Sequence, residues 1–174
     1  MRTAVRTLVV ALSVVLALPA WAAEVVKNDP DDSDGKLDLS RLVVDATKGE
    51  AGFFTIKTHD NFRCGYLKPG KPNRLRLLFD DGRDGDIDLI GRFECDGDKL
   101  LMFLVGKETG NNYEPLRARR PSNKTVKVAF QLDIAEFEAD TLGVKVRTVD
   151  GTAEGCTDEP CKDSVPGKGT LQAY

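Results

Sequence analysis

Apolar and polar positions alternate with a period of two along most of this chain, in short runs separated by turn formers. That period sends successive side chains to opposite faces of a strand. Leu37, Leu39, Leu42 and Val44 mark a strand across residues 36–47, with a bulge near Ser40. In 52–58, Phe54 and Ile56 stand against Phe53, Thr55 and Lys57, and in 73–79 Leu75, Leu77 and Phe79 stand against Arg74, Arg76 and Leu78. Residues 86–93 place Ile87, Leu89 and Phe93 opposite Asp88, Ile90 and Arg92. Residues 99–105 are continuously apolar, which predicts a central strand covered on both sides. Segments 113–119, 125–132 and 142–149 complete the set, with Asp81-Gly82, Asp96-Gly97-Asp98, Gly110-Asn111-Asn112 and Asp150-Gly151 as turns between runs. The pattern predicts an all-β fold: a single antiparallel β-sandwich, jelly-roll-like or Ig-like, of about eight strands. Only 133–140 has helical content, enough for one short turn.

The beginning of the chain has a different character. Arg2 and Arg6 precede an apolar run from Leu8 to Leu18, and Ala20-Trp21-Ala22 places small residues where a signal peptidase cuts. Residues 1–22 therefore read as a secretory signal, and the run is shorter than the ~20 residues a membrane span needs. No later stretch is apolar enough to cross a bilayer. An acidic segment over 23–36 and one β-sandwich domain over 37–174 follow. Losing the signal removes two positive charges and no negative ones, so the remainder is two charges more negative than the formal −3 of the whole chain. An acidic domain of this kind excludes nucleic acid as the expected partner.

Four cysteines in an exported chain read as two disulfides. Cys156 and Cys161 lie in one Gly/Thr/Asp/Pro stretch and form a natural local bridge. Cys64 then pairs with Cys95, closing a loop worth roughly 3–4 kcal/mol on the chain-entropy model. A four-cysteine zinc site would call for CxxC pairs, and there are none.

Five aspartates crowd the stretch Asp80-Asp81-Gly82-Arg83-Asp84-Gly85-Asp86-Ile87-Asp88. Alternate carboxylates can turn toward one centre, and calcium takes six to eight oxygens from flexible loops. Asp81, Asp84, Asp86 and Asp88 are the expected calcium ligands, although Leu89 and Cys95 stand where an EF-hand has glycine and glutamate. A second acidic cluster, Asp29, Asp31, Asp32 and Asp34, reads as a flexible leader, with metal ligation as the alternative. His59 sits beside Asp60, but no Gly-x-Ser-x-Gly elbow accompanies it, and neighbouring strand residues face opposite ways. Catalytic residues are therefore not assigned. Phe62, Tyr66 and Tyr113 fall outside the core pattern and are the candidate ligand-binding aromatics. Arg117, Arg119, Arg120 and Lys124 form the one basic segment.

The acidic Asn28-Asp29-Pro30-Asp31-Asp32 leading into Leu37-Asp38-Leu39, the Asp-rich loop, and the tail Cys156-Thr-Asp-Glu-Pro-Cys161-Lys-Asp-Ser-Val-Pro166-Gly-Lys-Gly together carry a likeness to a known group. The chain resembles uncharacterised secreted actinobacterial proteins with a short C-terminal disulfide. The resemblance implies export and a β-sandwich, and brings no catalytic residues. The expected function is that of an exported, non-enzymatic, calcium-stabilised module, secreted or held at the cell envelope. Its expected partner is an extracellular carbohydrate or protein. A secreted hydrolase for polysaccharide or peptide, and a purely structural envelope protein, are the alternatives.

Overall fold

A computed structural model describes residues 24–33, 35–46, 51–82, 84–107, 110, 113–132, 142–152 and 161–172. The signal at 1–22, Asp34, the helical turn near 133–140 and Cys156 lie outside the described residues. Two antiparallel sheets make up the fold, as the alternation requires. The first holds β1 (Val25–Asn28), β2 (Leu39–Ala46), β3 (Ala51–Thr58), β9 (Thr125–Gln131) and β8 (Arg119–Ser122), in that spatial order. The second runs β11 (Cys161–Val165), β10 (Gly143–Asp150), β4 (Arg74–Asp80), β5 (Leu89–Asp96), β6 (Lys99–Gly106) and β7 (Leu116–Arg117), with β12 (Leu171–Gln172) also pairing β10. This is a β-sandwich with twelve strands among the described residues, several of them very short.

Burial follows the sequence period. In β4, Leu75, Leu77 and Phe79 point into the core, and in β10 Val144, Val146 and Thr148 do the same. Phe54, Phe79 and Phe130 meet at the centre, with ring centroids 5.4–5.7 Å apart in stacked and edge-to-face pairs. The register shift between Leu39 and Arg41 places a bulge at Ser40, where the sequence pattern put it. Two glycines are required by position. Gly97 takes φ +59° in the two-residue connection between β5 and β6, and a Cβ at Gly91 would lie 2.7 Å from Met102 Sδ. Cys64, in a 3₁₀ turn over Cys64–Leu67, is disulfide-bonded to Cys95 of β5 as expected. Cys161 is also disulfide-bonded.

Three expectations are corrected. Residues 86–88 belong to the β4–β5 connection, and the strand starts at Leu89. The apolar run of β6 is not covered on both sides: Leu100, Met102 and Leu104 are buried in the core, while Leu101, Phe103 and Val105 on the opposite face are only half-buried. The acidic segment is not merely a leader, since β1 pairs with β2 from Val25↔Val44 to Asn28↔Arg41 and is part of the first sheet.

Candidate functional site

Beyond β1 the chain turns across one open end of the sandwich before it enters β2. The Asp29 N–H donates to Ser40 O at 3.0 Å, and the Lys36 N–H reaches the Asp150 carboxylate of the opposite sheet at 2.9 Å. Just beyond β3, the His59 N–H donates to Asp38 O at 2.9 Å, while its ring Nε2 contacts the Asp29 carbonyl at 3.2 Å. A carbonyl oxygen can only accept, so Nε2 is the donor in this contact. From the second sheet, Asp163 of β11 accepts the Leu39 N–H at 2.7 Å and ties the two layers together. These are local backbone requirements, and their joint result is a gathering of carboxylates.

Two sets of ligand atoms converge. One oxygen or nitrogen each from Asp31, Asp38 and His59 lies within 4.8 Å of the others, and so does one oxygen each from Asp29, Asp32 and Asp163. The two sets feel one another, because Asp163 favours the protonated form of both Asp29 and Asp38 and His59 favours the ionised form of both. A cleft of about 790 Å³ opens beside them, lined by Asp29, Asp32, Ser33 and Asp163 together with Arg147 and Lys162.

Asp38 is the anomaly. It is 3% exposed, between the core residues Leu37 and Leu39, and neither carboxylate oxygen has a hydrogen-bond partner. An ionised carboxylate in that position is costly unless a proton or a cation meets it. Burial in the first place, then the neighbouring Asp31 carboxylate and the charge of Asp163, push it up to about 7. Burial, followed by the charges of Asp163 and Asp32, pushes Asp29 up to about 6.

The sequence-predicted ligands sit elsewhere. The Asp81 N–H donates to Asp88 Oδ2 at 2.7 Å, and the Asp86 N–H donates to Asp84 Oδ1 at 2.9 Å. Asp80 accepts from the Gly85 N–H at 3.2 Å and from Thr170 Oγ1 at 3.3 Å. Asp84 and Asp88 thus spend oxygens on backbone amides of a tight connection, and Asp81, Asp84, Asp86 and Asp88 are not among the converging sets of the described residues. Phe62 is 2% exposed and lies under the Arg120 guanidinium, 4.6 Å from ring centroid to Cζ, so it is a core residue and not a platform. Tyr66 and Tyr113 are half-buried against the core, and Tyr66 Oη meets Thr152 Oγ1 at 2.9 Å. None of these three aromatics lines the cleft.

Sequence reasoning named Asp29, Asp31 and Asp32 as an alternative ligand source, and missed Asp38 and Asp163. The one available signal for Asp38 was an acid between two core leucines. Among the described residues no helix is long and apolar enough to cross a membrane. The chain matches no family model, no curated protein and no solved structure.

Proposed function

We propose that the chain is an exported, non-enzymatic binding domain whose N-terminal segment is locked to the sandwich by a divalent cation, with calcium the first choice. One observation carries this reading: a buried Asp38 whose two oxygens lack partners, facing Asp31 and His59. A cation there would offset the repulsion between Asp31 and Asp38 and would join the 29–38 loop to the residue following β3, while the adjoining set of Asp29, Asp32 and Asp163 would link that loop to β11. Oxygen dominates the donor set, which suits calcium. The presence of His59 supports zinc as the second reading, because imidazole is a ligand for zinc and a poor one for calcium. The Cys64–Cys95 disulfide is in keeping with an oxidising compartment outside the cytoplasm.

The test is thermal denaturation after chelation, repeated with calcium and with zinc. A cation specific to the folded state at a hundred times its dissociation constant adds about 2.7 kcal/mol, a rise of roughly 5–10 °C for a domain of this size. A melting temperature indifferent to both metals sinks the proposal, and a response to zinc alone selects the second reading.

A further inference from the structure

The outer face of the second sheet carries an unusual row of charges. Arg147 of β10 lies opposite Arg76 of β4, and Arg76 lies opposite Arg92 of β5. All three belong to the outward set of their strands, and neighbouring strands are ~4.8 Å apart. Like charges directly opposite one another destabilise a sheet. Phe103 of β6 continues the row beside Arg92, with the guanidinium 5.9 Å from its ring centroid. The next row is Lys145, Leu78, Ile90 and Val105.

Little on the protein answers this charge. Arg92 has Glu94 at 2.7 Å. Among the described residues neither Arg76 nor Arg147 makes an ion pair, and Arg76 Nε is buried without a partner. Burial, then the charges of Arg74, Arg92 and Arg147, push the Arg76 guanidinium below its ordinary value. A cleft of about 600 Å³ lies over these strands, lined by Leu78, Ile90, Arg76, Arg147, Lys145 and Lys107, with Asp80 and Asp84 as its acidic members, both engaged with backbone amides of the β4–β5 connection. The chain as a whole is acidic, at a formal −3, so so much positive charge on one face runs against its composition.

We propose that this face binds an acidic polysaccharide of the polyuronate class, with Arg147, Arg76 and Arg92 taking its carboxylates. A polyuronate presents one carboxylate per ring, and each guanidinium fork matches a carboxylate in two-point fashion. Leu78, Ile90 and Phe103 offer apolar surface to the C–H faces of the rings. Single-stranded nucleic acid fits less well, because it relies on several stacking aromatics and this row has Phe103 alone. The inference supplies a ligand class for the binding role proposed above and rests on that role, but apart from Arg147, which also borders the cleft beside the acids, its residues are not those of the cation pocket.

Calorimetric titration with oligogalacturonate at low ionic strength, in chelator, tests it. Saturable binding is expected, with a loss of about tenfold for each guanidinium removed in Arg76→Gln and Arg147→Gln. Arg76→Lys, which keeps charge without the fork, loses most of that affinity, and Lys57→Gln on the first sheet loses none. Should the inner variants fail to fold, exposed Arg92→Gln gives the same reading. No saturable binding, undiminished binding by the variants, or equal affinity for single-stranded DNA of matched charge overturns the proposal. Since chelator is present, that failure leaves the cation response standing, and an absent cation response leaves this result standing.

Discussion

At the scale of the residue, Asp38 governs the candidate site. Its side chain is buried, and its carboxylate converges with Asp31 and His59. Asp38→Asn keeps the shape and removes the charge. In chelator at pH 8 the variant is expected to be more stable than the parent by about 1–3 kcal/mol, since a buried unpaired charge is replaced by a neutral group. In calcium the order reverses, because the variant has lost the ligand that makes the cation useful. Denaturant titrations of both proteins, with and without calcium, read both effects. A variant that still gains the parent's full stabilisation from calcium would remove Asp38 from the site.

At the scale of the element, the bridge from the 3₁₀ turn to β5 joins residues 31 apart in sequence. Cys64→Ala with Cys95→Ala is expected to cost about 3–4 kcal/mol in denaturant unfolding; a cost below 1 kcal/mol would mean that the turn is already held by Leu67 and Phe62. This bridge was legible in the sequence, as were β3, β4, β9 and β10, because each has a buried face written as alternate apolar side chains. Less legible were the elements that share their faces with neighbours or solvent. β1 reads Val-Val-Lys-Asn and β11 reads Cys-Lys-Asp-Ser-Val, too short and too polar to declare a period. The aspartates at 84, 86 and 88 carry an alternation that resembles both a strand and a calcium loop, yet two of them accept amides within the connection. The converging acids escaped detection for a different reason: they come from β11, the 29–38 loop and the residue following β3, and only tertiary pairing brings such segments together.

At the scale of the whole molecule, charge is separated: acids gather at one end of the sandwich and arginines on one outer face. This gives the metal-free protein a particular pH dependence. Asp29 and Asp38, raised to about 6 and about 7, hold protons in the folded state that the unfolded chain has already released. Stability must therefore fall as pH rises through that window, from full protonation below the ordinary carboxylate value to full ionisation above pH 7. Asp31, Asp32, Asp163 and His59 face these groups, with Lys162 and Arg147 also lining the cleft. Denaturation midpoints in chelator from pH 5 to 8 are expected to decline. With calcium the decline is expected to flatten or reverse, as the ion competes with protons for the same oxygens. A rise with pH in chelator would contradict the assignment of those two groups.

The strand order also fixes when the protein can begin to fold. In the first sheet β3 is completed by β9, through pairs such as Phe54↔Val128, and in the second β4 is completed by β10, through pairs such as Leu77↔Val146. Both sheets thus depend on strands from the later part of the chain, and neither closes around Phe54, Phe79 and Phe130 until those strands have arrived. Such non-local pairing belongs to the slow end of single-domain folding, milliseconds to seconds. A chain emerging from its N-terminus therefore remains uncommitted until β9 and β10 have followed, a delay that would suit the exported protein proposed above.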